Sequence, residues 1–170
     1  VNGELYIASL SDGRLYKIRG QPTNQLPINN SHDLDGDGKA DIVWRNSSGV
    51  VAIWLMNGTA IGSSGFPAGV PVAWQIAGIG DVNGDGNADV IWHNSTSGTV
   101  AVWLMNGLTI TSVGFPGSAS TDWDIQAVGD LNDDGKADLV WRNTHDGNTA
   151  IWLMNGTAVA SSGFPGGVPV

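Results

Sequence analysis

Three short stretches place oxygen donors at a spacing that suits a hard cation. They are Asp33-Leu34-Asp35-Gly36-Asp37-Gly38-Lys39-Ala40-Asp41, Asp81-Val82-Asn83-Gly84-Asp85-Gly86-Asn87-Ala88-Asp89 and Asp130-Leu131-Asn132-Asp133-Asp134-Gly135-Lys136-Ala137-Asp138. Each has side-chain oxygens at positions 1, 3, 5 and 9 and glycine at position 6. Such a loop wraps a cation by turning alternate side chains inward, with a main-chain carbonyl near position 7 and a sharp bend that glycine permits. The candidate ligands are Asp33, Asp35, Asp37 and Asp41; Asp81, Asn83, Asp85 and Asp89; and Asp130, Asn132, Asp134 and Asp138. Lys39, Asn87 and Lys136 would contribute through their carbonyls. Calcium accepts ~6–8 oxygens in flexible geometry, whereas magnesium demands a smaller octahedron, so the spacing predicts three calcium sites. The first loop offers four carboxylates and the others three plus an asparagine, so the first is expected to bind tightest at equal rigidity.

An EF-hand would need a bidentate glutamate at position 12 and a helix on each side. Position 12 is Trp44, Trp92 or Trp141, and the flanks, such as Trp74–Ile79 and Ala88–His93, are short β-branched and aromatic runs beside glycine. The loops therefore join strands. A plain Asp/Asn/Gly turn would look similar in one copy. Three copies with the same donor positions favour metal binding.

The elements that position these loops repeat. Phe66, Phe115 and Phe164 recur every 49 residues within Gly-Phe-Pro, and Trp54, Trp103 and Trp152 recur every 49 within Trp-Leu-Met-Asn-Gly. The loops begin 48 and 49 residues apart, and the missing residue falls in the turn Asn46–Gly49, where strand register is unaffected. In the second unit the expected strands are Trp74–Ile79, Ala88–His93, Thr99–Met105 and Thr109–Val113. Four strands in a period near ~45–50 residues describe a propeller blade. The expected organisation is an all-β chain with an N-terminal hairpin segment at 1–23 and repeats at 24–72, 73–121 and 122–170. In the first segment two alternating runs flank Ser11-Asp12-Gly13, a hairpin signal.

The run Gly80-Asp81-Val82-Asn83-Gly84-Asp85-Gly86 and its sisters resemble the FG-GAP/VCBS family, seen in integrin α-subunit propellers and in many secreted bacterial proteins. The resemblance implies β-propeller blades with calcium in the loop between the first two strands of each. The first copy departs from it, with Leu26–His32 where the others have a Trp-bearing lead-in. Three blades are fewer than the ~4–8 that close a propeller. The expectation is an incomplete propeller, cut from a longer series or completed by head-to-tail association. The N-terminal hairpin weakly resembles the closing strands of quinone-dependent sugar dehydrogenase propellers, which implies at most an accessory domain of such an enzyme.

Net charge is −9, but ten of the 16 acidic residues sit at the proposed ligand positions, so three divalent ions would bring it to about −3. Seven basic residues make nucleic acid an unfavoured partner. With no cysteine there is neither disulfide nor thiol chemistry, and no apolar run spans a membrane. The eight tryptophans fall into repeat-locked classes, which favours packing between blades over sugar stacking. Arg45, His93 and Arg142 follow the second-strand tryptophans and are expected to be structural, or to lie over an indole. His32, His93 and His145 share no repeat position, so no catalytic site is expected. Sequons at Asn29, Asn46, Asn57, Asn94 and Asn155 are explained as turn residues. Together these point to a calcium-binding, non-catalytic extracellular scaffold or adhesion module. The alternatives are a lectin-like module, with glycan on exposed aromatics opposite the metal loops, and the dehydrogenase accessory domain.

Overall fold

The computed structural model describes residues 32–167 and, nearer the N-terminus, the backbone of two strands, β1 (Leu5–Ala8) and β2 (Leu15–Ile18). These two pair antiparallel with Ala8 opposite Leu15, the hairpin that Ser11-Asp12-Gly13 predicts. The remaining strands form three separate antiparallel sheets in chain order. The first contains β3 (Ile42–Arg45), β4 (Val51–Asn57) and β5 (Ala60–Gly65). The second contains β6 (Trp74–Gly80), β7 (Asp89–Asn94), β8 (Thr99–Asn106) and β9 (Thr109–Ser118). The third contains β10 (Trp123–Gly129), β11 (Asp138–Asn143), β12 (Asn148–Asn155) and β13 (Ala158–Gly167). No described element is a helix, so none crosses a membrane as one. The first sheet has three strands, not the expected four; residues 24–31, where its lead-in strand was expected, lie outside the described residues.

Side chains alternate across a strand, so a sheet between two others must be apolar on both faces. The middle sheet meets that demand. Val90 and Trp92 of β7, with Ala101, Trp103 and Met105 of β8, join Leu34, Val51 and Ile53 of the first unit in one buried cluster. The intervening Ile91, Val100 and Val102 point the other way and join Ala137, Leu139, Trp141, Ala150 and Met154 of the third. Each fully buried aliphatic side chain contributes roughly 1.5–3 kcal/mol. The core therefore lies between blades, and a blade on its own would bury neither face.

The tryptophans fill these gaps. Trp92 and Trp141 are each only 1% exposed. Each tilts against a third-strand partner, Trp103 at 4.8 Å and Trp152 at 4.9 Å between ring centroids. His93 is buried with its ring edge-on to Trp141 of the next blade at 5.3 Å, and burial pushes its imidazole below the usual range. The first strands of neighbouring blades come close enough to exclude a side chain. A Cβ on Gly78 would lie 2.3 Å from Val128 Cγ2.

The fourth strands outrun the expectation. β9 continues past Val113 through Gly-Phe-Pro to Ser118, after a register shift opposite Val100 and Val102. Proline cannot donate to a ladder, but β9 is an edge strand, where a missing donor faces outward.

Candidate metal sites

Each loop is folded around the carboxylate at position 1. Gly36 and Asp37 N–H donate to Asp33 Oδ1 at 2.8 and 3.2 Å, and Gly38 N–H donates to Oδ2 at 2.8 Å. Asp81 takes the same three bonds from Gly84, Asp85 and Gly86, and Asp130 from Asp133, Asp134 and Gly135. These donors hold the Asp130 carboxyl below its ordinary pKa, the Gly135 bond most of all. Such a wrap requires left-handed backbone at positions 4 and 6. Glycine supplies it at both positions in the first two loops, with φ of 73° and 88° at Gly36 and Gly38. In the third loop position 4 is Asp133, at φ 61° and the one non-glycine residue with positive φ among the described residues. Asp133→Gly is therefore expected to raise stability by about 1 kcal/mol, read by chemical denaturation.

Position 9 has a different task. Both oxygens of Asp89 accept buried main-chain donors: Val82 N–H at 3.0 Å from the loop and Met105 N–H at 2.9 Å from β8. Asp41 clamps Leu34 and Met56, and Asp138 clamps Leu131 and Met154, in the same way. All three are buried. Burial pushes the Asp89 carboxyl up to about 7, against the pull of its Met105 and Val82 bonds and with a further push from Asp85 and Asp81.

Positions 3 and 5 lie at the loop surface. In the first loop, Asp33, Asp35 and Asp37 each offer an oxygen within 4.8 Å of the others, a group that could hold a metal ion. Asp41, clamped as above, stands outside that trio. Partial burial raises the Asp35 carboxyl, and the negative charges of Asp37, Asp41 and Asp33 add to the rise. A cation would relieve that repulsion. Lys39 Nζ already bonds Asp37 and holds its carboxyl low, partly neutralising one arm of the group. In the other loops the asparagine at position 3 bonds its neighbour at position 5: Asn83 Nδ2 donates to Asp85 Oδ2 at 2.9 Å, and Asn132 Nδ2 to Asp134 Oδ2 at 3.1 Å. The N–H groups of Lys39, Asn87 and Lys136 all donate to the carboxylate at position 5. An all-oxygen donor set of this kind suits calcium better than a soft metal.

The model of the FG-GAP-like repeat matches residues 33–92 and again 81–141, more than half of the chain. This chain belongs to the FG-GAP repeat family. No curated protein and no solved structure gives a significant match.

The FG-GAP loops do more than present carboxylates, because the first and the second each grip the following blade. Ala88 N–H at position 8 of the second loop donates to the Asp33 carbonyl at 2.6 Å. Gly107 N–H, in the Asn-Gly turn of the second blade, donates to the Leu34 carbonyl at 2.6 Å. The next junction repeats both bonds: Ala137 to Asp81 at 2.6 Å and Gly156 to Val82 at 2.7 Å. The position-2 side chains, Leu34 and Val82, are fully buried in the clusters between blades. The donor pattern alone assigns no role to positions 2, 4 and 8. The Leu/Val and Ala that recur at positions 2 and 8 in all three loops, and the Gly at position 4 in the first two, were the available signal.

Proposed function

We propose that this chain is a calcium-binding, non-catalytic scaffold module that works outside the cell, where three loops bind calcium and thereby fix one blade against the next. The observation that carries this reading is the Asp33, Asp35 and Asp37 group, set in a loop whose carbonyls hold the neighbouring blade. Asp33, Asp35 and Asp37, and their counterparts Asp81, Asn83 and Asp85, and Asp130, Asn132 and Asp134, would hold the ions. The ions would supply positive charge among converging carboxylates, and no bond-making chemistry is assigned to them. Extracellular modules bind calcium with Kd of ~10⁻⁴–10⁻³ M, so such sites fill outside cells and not in the cytosol. A structural role for the histidine that is buried among the described residues, His93, is supported by its edge-on packing against the Trp141 indole.

Equilibrium dialysis tests this directly. Asp85→Ala is expected to lower bound calcium from three per chain to two, whereas Asp122→Ala, which removes an exposed carboxylate outside the loops, leaves three. Equal losses from both would mean that the charge is generic and the spacing meaningless.

One observation favours carbohydrate binding as a second reading. A cleft of about 330 Å³, at the end of β6 and β7 away from the second metal loop, is lined by Gln75, His93, Ser95, Asp124 and Gln126 among others. Those amide, hydroxyl and carboxylate groups suit sugar hydroxyls. The aromatic platforms expected for stacking are mostly committed to packing, and the most exposed rings are Phe66, Phe115 and Phe164. Quenching of tryptophan fluorescence by mono- and oligosaccharides would support this reading.

A further inference from the structure

The two outer blades carry opposite halves of the joint that the interior uses twice. The third blade carries the loop half. Leu131 stands where Leu34 and Val82 are fully buried, yet it is 50% exposed, and among the described residues the Asp130 and Leu131 carbonyls have no counterpart of the two cross-blade bonds. The first blade carries the receiving half. Ala40 and Gly58 are exposed where Ala88, Ala137, Gly107 and Gly156 are buried. Trp44 is 48% exposed where Trp92 and Trp141 are 1% exposed. Ala52, Trp54 and Met56 on the same face are only partly covered, whereas Ala101, Trp103 and Met105 are buried.

We infer that a second copy of this chain completes both faces. The third blade of one copy docks on the first blade of the other. Leu131 enters the space beside Trp44, Ala52, Trp54 and Met56, while the Asp130 and Leu131 carbonyls accept from Ala40 and Gly58 N–H. A second copy is the occupant because the two internal junctions show the joint's chemistry, and both unmatched halves belong to this one sequence. Head meets tail, so the contact is heterologous and propagates unless it closes. Two copies close it. They supply six of the described blades, within the ~4–8 of closed propellers, and three copies would exceed that range. The expected assembly is a two-copy ring.

This inference rests on the scaffold reading, and calcium counted on the same samples separates the failure of one from the failure of the other. Sedimentation with calcium, over a range of protein concentrations, should show a monomer–dimer equilibrium. Leu131→Asp blocks one half and Trp44→Glu the other, so each variant alone stays monomeric. Their equimolar mixture forms a species of twice the mass, because the intact tail of one meets the intact head of the other. Ala40→Glu serves as a second head variant should Trp44→Glu fail to fold by circular dichroism. A compact monomer throughout for the unaltered chain would mean that its own residues cover Trp44, and would overturn the inference. So would dimerisation of Leu131→Asp, or a mixture of folded variants that stays monomeric.

Discussion

Removal of calcium is expected to lower the melting temperature of this chain further than any single substitution does. A ligand bound only to the folded state adds ~2.7 kcal/mol per site at a hundredfold excess over Kd, so three sites contribute about 8 kcal/mol. A domain of this size is stable by only about 5–15 kcal/mol. At roughly 2–4 °C per kcal/mol, EGTA should lower the midpoint by about 15–30 °C, and calcium, but not magnesium, should restore it. Scanning calorimetry reads this, and an unchanged midpoint in EGTA would contradict calcium binding. The metal-free protein should also respond to pH in a defined direction. Burial pushes the Asp89 carboxyl up to about 7 in the fold, above its ordinary 3.8, so the folded state holds that proton more tightly. Its contribution to metal-free stability is therefore full below about 4 and is lost as pH rises through 7.

Asp89→Ala is expected to be the most damaging substitution in the loops, and to be so even in EGTA. It would remove the carboxylate that accepts from the buried Val82 and Met105 N–H groups. Each orphaned buried donor costs ~1–3 kcal/mol, so the loss should be about 2–6 kcal/mol. Asp85→Ala, at an exposed position, should change metal-free stability by no more than about 0.5 kcal/mol while removing one calcium site. Urea denaturation of both variants in EGTA separates the clamp from the ligand. Equal metal-free stabilities would show that the Asp89 bonds carry no weight.

The contrast between those residues marks what the sequence could reveal. Donor spacing, the 49-residue period and the β-branched and aromatic run at Ala88–His93 were legible because they are local, and the strands stand where they predict. The clamp was not legible. An aspartate at position 9 reads as one more ligand, and nothing local shows that Met105, sixteen residues on, donates to it. Likewise Leu34 and Val82 look like incidental apolar residues in an acidic loop. Their purpose is supplied by the following blade, and Leu131 lacks that blade among the described residues. Asp133 hides its strained backbone because Gly36 and Gly84 advertise position 4 and it does not. The length of β9 was obscured by Pro116, which an edge strand tolerates.

The central claim is that the first two calcium loops are also the joints between blades, and amide hydrogen exchange measured by NMR addresses it at the bonds concerned. The four reporters are Ala88, Gly107, Ala137 and Gly156, whose N–H groups donate across the junctions to Asp33, Leu34, Asp81 and Val82. With calcium, all four are expected to be protected. In EGTA they should exchange faster by roughly a hundredfold or more, the factor that ~2.7 kcal/mol per site implies. Protection of these four amides that is the same with and without calcium, in a protein shown to bind the ion, would contradict the account.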